Sequence, residues 1–263
     1  MVIFMKTKKK FLSVLLLCVI LCLVLSGCSN TTYFYDDFDK YTKGGATLET
    51  VIKNIEIDWI SGDVKILKHA KNTIAFNETS NKKVNDDTSM YYYVEDDTLH
   101  IKFAKSGKFR FSNLEKSLTV ELPESLLLDE VDINMVSADL TMDNINVKEL
   151  DIDTVSGDIV AKSSAMEDFD IDSVSGSVNL ITSTCPQTGK FNSVSWSICF
   201  ELPQDAGYEV EFVTVSGDYN NDGFSTKKSG NTYTVGDGKA KYKVNTVSGD
   251  FSVRHKNMSL DYI

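Results

Sequence analysis

Aspartates alternate with apolar residues in two short segments, and their spacing could support chemistry. The segments are Leu150-Asp151-Ile152-Asp153 and Phe169-Asp170-Ile171-Asp172, whose aspartates are 19 residues apart. Carboxylate oxygens are ligands for Ca²⁺, and a pair of carboxylates can cleave a glycosidic bond. A hydrated acidic surface is the alternative, because no loop has the spacing of a dedicated calcium motif. The sequence predicts no dedicated metal site or cofactor, and leaves Ca²⁺ open at Asp151, Asp153, Asp170 and Asp172.

Other groups that could carry catalysis are scattered along the sequence. The three histidines, His69, His100 and His255, have no zinc-protease spacing, and the sequence contains no Gly-x-Ser-x-Gly elbow. The serine that does recur is repeated many times, whereas one activated serine needs its own base and orienting group. The sequence therefore predicts a protein that is not an enzyme. A glycan-active enzyme remains an alternative, since β-solenoids include polysaccharide lyases and glycosidases.

The aspartates belong to a longer internal repeat. A pattern of the type Val-Ser-Gly-Asp-apolar occurs seven times, and from Ser137 onward its serines are 19, 19, 20, 21 and 32 residues apart. We interpret the repeated residues as structural, because glycine tolerates a bend while Ser and Asp bond nearby amides. Ala138 and Trp196 replace the glycine in two copies, and Trp196 raises the question whether its copy turns like the others. The turn residues are Ser61, Gly62, Asp63, Ser137, Asp139, Ser156, Gly157, Asp158, Ser175, Gly176, Ser216, Gly217, Asp218, Ser248, Gly249 and Asp250.

The repeat predicts the architecture that must position these residues. A unit of about 20 residues cannot bury its own apolar face, so the units must stack. We predict an all-β fold, a right-handed parallel β-solenoid similar to a single-stranded β-helix, with each motif between two strands. Equivalent residues of successive coils would then form columns with a spacing of about 4.8 Å. An antiparallel meander or sandwich is disfavoured, because hairpin strands would repeat as pairs.

The amino-terminal segment has the pattern of an export signal. Four lysines precede an uncharged run over 11–25, and Leu25-Ser26-Gly27-Cys28 resembles the bacterial lipobox. We predict a lipoprotein signal peptide over 1–27, lipidation of Cys28, and an extracytoplasmic protein anchored to the outer face of the cytoplasmic membrane. An uncleaved amino-terminal anchor is the alternative.

The rest of the chain divides into a tether and a solenoid. We assign 28–46 to the lipidated cysteine and a polar tether, although its Tyr and Phe side chains could instead rest on the domain. Residues 47–263 form the solenoid, with irregular early coils over 47–123 and regular repeats over 124–256. A separate β domain in the amino-terminal half is the alternative.

Charge and cysteine content limit the partners and the redox chemistry. The chain has 27 basic and 38 acidic residues, a formal net charge of −11, which argues against nucleic-acid binding. After signal removal only Cys185 and Cys199 would keep free thiols. A disulfide is permitted outside the cell, but we favour two buried free thiols.

The motifs resemble those of one known family. The Val-Ser-Gly-Asp turns and the strand Leu118-Thr119-Val120-Glu121-Leu122-Pro123 are similar to the hallmarks of the DUF4097 bacterial surface proteins, over roughly 50–253. The resemblance implies a β-helical fold and a role in adhesion. We therefore expect a non-enzymatic surface lipoprotein that contacts an envelope glycan or protein. An accessory or sensor subunit of envelope-stress signalling is the alternative.

Overall fold

The computed structural model describes residues 31–109 and 113–256. The predicted signal peptide, 1–27, and Cys28 lie outside these residues, so the interpretation of that segment stays a prediction. The described chain contains one short 3-10 helix, Phe38–Lys40, and nineteen strands. The strands are β1 (Thr31–Tyr33), β2 (Thr42–Lys43), β3 (Ala46–Leu48), β4 (Asn54–His69), β5 (Ile74–Ser80), β6 (Tyr91–Glu95), β7 (Thr98–Lys102), β8 (Gly107–Phe109), β9 (Lys116–Pro123), β10 (Leu127–Met142), β11 (Asn146–Ser163), β12 (Asp168–Thr182), β13 (Thr188–Leu202), β14 (Tyr208–Ser216), β15 (Tyr219–Asp222), β16 (Thr226–Ser229), β17 (Thr232–Val235), β18 (Ala240–Ser248) and β19 (Phe251–His255).

Four consecutive coils, β10 to β13, are long strands that stack in parallel. Asp132 pairs with Asp151, Asp151 with Asp170, and Asp170 with Lys190, so one repeat separates neighbours in the sheet. The prediction of an all-β, parallel solenoid is confirmed, and each regular coil is indeed a single strand.

Each coil has two legs, which we define by the motif serine: the first leg precedes it and the second leg follows it. In β11 the apolar side chains of Leu150 and Ile152 on the first leg are buried, and so is Ile159 on the second. The aspartates between them, Asp151 and Asp153, are only partly buried. Burial of each such aliphatic side chain contributes about 1.5–3 kcal/mol. The alternation in the sequence therefore separates the core from the outward face.

The position of the motif within the coil corrects one expectation. In the five copies from Ser61 to Ser195 the motif lies inside one strand, at the bend between its legs. The copies at Ser216 and Ser248 lie between two strands, as predicted. Ser156 pairs with Ser175 and Gly157 with Gly176, so the interstrand ladder continues around the corner. The bend changes the direction of the chain while the neighbouring coils stay in register.

The coils do not follow the order of the chain at the two ends. Strand β4 pairs with β10 on one side and with β7 and β9 on the other. At the opposite end β18 and β19 pair with β13 on one side and with β14 and β15 on the other. The hairpin of β16 and β17 lies between β15 and β18 in the chain, which explains the 32-residue step in the repeat. Residues 47–123 thus continue the same stack.

Antiparallel strands close both ends of the stack. Strand β6 pairs with β7, β5 with β9, and β17 with β14, all antiparallel. Short strands β2, β3 and β16 then pair with β6, β5 and β17.

The described part of the predicted tether is packed against the solenoid, which corrects the boundary at residue 46. Strand β1 pairs with β8, and β2 and β3 pair with the strands at that end. The ring of Tyr35 lies 4.9 Å from that of Tyr41, and the ring of Phe38 lies 5.2 Å from that of Tyr91. The aromatic side chains bury apolar area that a free tether would leave in water. Phe38 and the Tyr side chains over 33–41 thus rest on the domain, which was the alternative to a free tether.

Candidate functional site

The side chains of the turn motif join one coil to the next. The hydroxyl of Ser156 donates to the carbonyl of Val136 at 3.3 Å, and Asp139 Oδ1 accepts the N–H of Asp158 at 2.8 Å. The same bonds recur along the stack, with Ser61, Ser175 and Asp250 in these roles. Asp63 and Asp158 accept hydroxyl groups of serines in the adjacent coils. The motif columns satisfy polar groups of the bend and have a structural role.

The other turn residues lie in the same columns. Ser137 pairs with Ser61 and Ser156, and Ser216 pairs with Ser248. Gly62, Gly176, Gly217, Gly249 and Asp218 occupy the bends of their coils.

Two of the turn positions show why glycine recurs in the motif. Gly157 has φ +131°, and a Cβ there would overlap the carbonyl oxygen of Ala138 in the neighbouring coil. Trp196 keeps the register with Gly176 and is 2% exposed, so its coil bends in step with the others. The space for it comes from neighbouring glycines: a Cβ on Gly176 would meet the indole of Trp196, and one on Gly249 would overlap its carbonyl.

The outward side of the first legs forms the most distinctive surface of the molecule. Positions seven, five and three residues before the motif serine make three columns across β10, β11 and β12. Eight of these nine positions carry a carboxylate, and the ninth is Asn134. We call this surface the carboxylate face: Glu130, Asp132, Asn134, Glu149, Asp151, Asp153, Asp168, Asp170 and Asp172.

Cationic side chains border the carboxylate face along the stack. On one side β4 contributes Glu56 and Asp58, which lie 2.5 Å from His100 Nδ1 and 2.6 Å from Lys102 Nζ of β7. On the other side Lys190 Nζ lies 3.1 Å from Asp170 Oδ2. Lys241 and Lys243 follow and pair with glutamates of β14. The face is therefore bounded by His100 and Lys102 at one end and by lysines at the other.

Asp132 is the carboxylate most strongly affected by this arrangement. Burial, together with the negative charges of Asp151 and Glu56, raises the pKa of Asp132 to about 7. By contrast, a hydrogen bond from His100 holds the pKa of Glu56 below its usual value. Asn134 donates to Asp132 at 3.1 Å. Proton uptake near neutral pH thus relieves the repulsion in the middle of the column.

Three carboxylates of the face come close enough to share a cation. One oxygen each of Glu130, Glu149 and Asp151 lies within 4.8 Å of the others. Oxygen ligands bind Ca²⁺ at 2.3–2.6 Å in flexible geometries, so this trio has a fitting donor set. Of the sequence candidates, Asp151 belongs to the trio, whereas Asp153, Asp170 and Asp172 lie elsewhere on the face. Asn192 donates to Asp172 at 2.6 Å, and Lys190 pairs with Asp170.

The histidines and thiols lie apart from one another. His69 contacts the carbonyl of Thr73, His100 contacts Glu56, and the ring of His255 lies 3.8 Å from that of Phe224. Cys185 and Cys199 are free thiols, each half-buried, and Cys185 Sγ lies 3.2 Å from the hydroxyl of Tyr242. The disulfide alternative is not formed.

Sequence reasoning missed the column seven residues before the motif serine. Glu130, Glu149 and Asp168 occupy it, and the alignment that gave the other two columns extends to it. No sequence pattern indicated that His100 and Lys102 lie beside the face, because β7 carries no copy of the motif.

Comparison with known proteins identifies the family. The family model DUF4097, named Toastrack, matches residues 52–186 and again 128–254. The chain belongs to the Toastrack family, DUF4097. The two matches overlap over the regular coils, as expected when a repeated unit aligns in more than one register. No curated protein matches the sequence.

Two solved structures of bacterial proteins resemble this chain in part. A candidate cell adhesion protein from Clostridium sporogenes is 16% identical with a TM-score of 0.46, over 82% of this Toastrack chain and 100% of its own. A candidate adhesin from Bacteroides fragilis is 10% identical with a TM-score of 0.40, over 82% and 97%. These values are too low to carry an argument about function. Within the described residues, no helix has the length and apolar character to cross a membrane.

Proposed function

We propose that this Toastrack protein is a non-enzymatic binding protein, anchored by lipid at Cys28 on the outer face of the cytoplasmic membrane. The carboxylate face binds its envelope partner, and the partner presents positive charge. The observation that supports the proposal is the density of carboxylates, eight in nine adjacent positions on three rigidly stacked strands.

The stack fixes these charges before any partner arrives. Long strands in continuous register hold successive residues of each column about 4.8 Å apart. Burial and the repulsion from Asp151 both disfavour the ionised form of Asp132, so its pKa is raised. A cationic partner that lies across the columns would relieve this repulsion, so binding and ionisation are coupled. Preorganised charges lose little conformational entropy on binding.

The repetition of the same side chains across the face also supports binding rather than catalysis. The face repeats the same side chains over three coils and has no unique nucleophile or base among the described residues. Such a surface suits an extended, repetitive partner, for example a lysine-rich protein segment or an amine-bearing glycan. Electrostatic complementarity of this kind governs association rate and specificity.

The experiment compares two triple variants for binding to isolated cell envelopes. One variant carries Asp132→Asn, Asp151→Asn and Asp170→Asn on the face. The matched control carries Glu124→Gln, Glu201→Gln and Asp205→Asn, which changes the net charge equally outside the face. We expect the face variant to bind at least tenfold more weakly, and the control to bind like the wild type. Equal binding by both variants would contradict the proposal.

A calcium titration separates direct binding from binding through a metal. If the partner contacts the carboxylates directly, millimolar Ca²⁺ competes and a chelator leaves binding intact. Loss of binding in the chelator, restored by Ca²⁺ alone, would contradict direct contact with a cationic partner and assign the face to Ca²⁺.

A further inference from the structure

Phe34 is exposed at a place where the neighbouring aromatic side chains are packed. It is 66% exposed, and it is the one exposed phenylalanine or tryptophan among residues whose side chains the structure describes. Tyr33 and Tyr35 on either side turn towards the solenoid, with ring centroids 5.5 Å apart. Successive side chains of an extended chain point to opposite sides, so Phe34 points away from the domain.

The segment that carries Phe34 is fixed to the solenoid. Strand β1 pairs with β8, and the N–H of Tyr35 donates to Ser106 Oγ at 3.2 Å. The hydroxyl of Ser106 donates back to the carbonyl of Tyr35 at 3.1 Å, and the hydroxyl of Tyr35 donates to Ala104 at 3.1 Å. Phe34 is thus held in place rather than carried on a free linker.

The distance from the proposed anchor to this segment is short. Three peptide steps separate Cys28 from Thr31, and each spans at most about 3.6 Å, so their Cα atoms are within about 11 Å. The acyl chains on a lipidated cysteine begin at the boundary between headgroups and hydrocarbon. The start of β1 must therefore lie within the headgroup region or directly above it, if the anchor is present.

We propose that Phe34 inserts into the lipid bilayer next to the anchor and fixes the orientation of the solenoid on the membrane. This inference rests on the proposed lipidation of Cys28. An exposed aromatic ring beside a lipid chain is a second membrane signal, which adds apolar contact at the interface. Asp36 and Asp37 follow on the exposed side and keep the insertion shallow, because their carboxylates stay in water. The amino-terminal end of the solenoid then lies next to the bilayer, and β16 lies far from it.

Fluorescence quenching by brominated lipids tests the inference on the full lipidated protein. The two native tryptophans, Trp59 and Trp196, are 1% and 2% exposed, so they give an unquenched background. Phe34→Trp places a probe at the proposed contact, and Lys227→Trp on exposed β16 is the matched control. Both proteins are reconstituted into vesicles of phosphatidylethanolamine and phosphatidylglycerol with bromines near the top of the acyl chains.

We expect the added fluorescence of Phe34→Trp to fall by at least half, and that of Lys227→Trp to stay within a tenth of its value without bromine. Equal quenching at both positions, or none at position 34, would overturn the inference. Mass spectrometry of Cys28 and flotation of the vesicles distinguish this from failure of the anchor. A lipidated, floating protein without quenching at position 34 contradicts the orientation alone, whereas an unmodified Cys28 contradicts the anchor and the inference with it.

Discussion

Carboxylates on the first legs have different neighbours in the middle of the solenoid and at its ends. In β10, β11 and β12, Asp132, Asp151 and Asp170 stand side by side. At the ends a histidine or a lysine stands beside each carboxylate, as His100 does beside Glu56 and Lys243 beside Glu211. Correspondingly, the pKa of Asp132 is raised to about 7, while that of Glu56 is lowered.

The difference shows which side chains stabilise a stack of identical coils and which destabilise it. When a unit is copied, each side chain meets its own copy in the next coil. Apolar side chains, serines and asparagines gain from such columns, because they pack or bond with their own kind. Like charges lose about 1 kcal/mol per neighbouring pair in water, and more where water is excluded. The end coils, whose sequences depart from the repeat, can place opposite charges together.

The largest expected effect is at the amino-terminal end, where a departure from the repeat buries a charge. Lys116 Nζ lies 2.6 Å from Glu78 Oε2, and the lysine side chain is 0% exposed. It also donates to the carbonyls of Thr88 and Phe103. We expect Lys116→Ala to lower the free energy of unfolding by about 3–5 kcal/mol, because Glu78 would be left buried without its partner. Urea unfolding followed by circular dichroism measures the change.

An exposed ion pair between β10 and β11 provides the control for Lys116→Ala. Lys148 pairs with Asp129 at 2.5 Å, and the two side chains are 45% and 47% exposed. Lys148→Ala should cost less than about 1 kcal/mol, since water screens such a pair. Similar losses for both variants would show that the buried pair is no more important than a surface one.

The next largest effect tests the bend that is repeated in the middle coils. Gly157→Ala places a Cβ against the carbonyl of Ala138 at a positive φ, and we expect a loss of about 2 kcal/mol or more. Ala138→Gly, at the same motif position one coil away, should cost less than about 1 kcal/mol through backbone entropy. If the two substitutions cost the same, the bend does not require glycine at residue 157.

A smaller effect of opposite sign is expected for Asp132→Asn. The folded pKa of Asp132 lies above its unfolded value, so its stabilising contribution is complete below about pH 4 and is lost as pH rises to about 7. We therefore expect Asp132→Asn to raise the free energy of unfolding at pH 8, within the limit of about 4 kcal/mol that this change in pKa sets, and to leave it nearly unchanged at pH 4. Urea unfolding at the two pH values gives the comparison.

Asp170→Asn is the matched change at the edge of the face. Asp170 pairs with Lys190 at 3.1 Å, so removing its charge gives no relief from repulsion. A stabilisation at pH 8 equal to that of Asp132→Asn would mean that the position in the column is unimportant.

The smallest expected effect is at the edge of the carboxylate face, where β12 pairs with β13. Lys190→Met removes the cation beside Asp170 and should change the free energy of unfolding by less than about 1 kcal/mol. Urea unfolding measures the change, and a loss of several kcal/mol would contradict the interpretation of Lys190 as a solvent-screened cation at the edge of the face.

The parts of the molecule that repeat could be predicted from the sequence, and the parts that do not repeat could not. Alternation around Ile152 and Ile171 gave the parallel stack and two columns of the carboxylate face. The packing of Tyr35 on the solenoid and the burial of Lys116 depend on contacts between distant residues, which no local pattern encodes. The bends of the five copies from Ser61 to Ser195 were misplaced between strands, because a change of direction in the chain does not require a break in the ladder.

The insertion of β18 and β19 has a consequence for how the chain reaches its fold. Strands β18 and β19, which come last along the described residues, fill an interior slot between a coil that begins at Thr188 and one that begins at Tyr208. The middle coils can add one after another, but this end must keep the slot open until residue 255 arrives. Long-range closure of this kind slows folding, since the entropy of the loop is lost before the contacts form. A variant without β18 and β19 would lack an inner layer of the stack, not an outer one, so the stack stays incomplete until β19 has been synthesised.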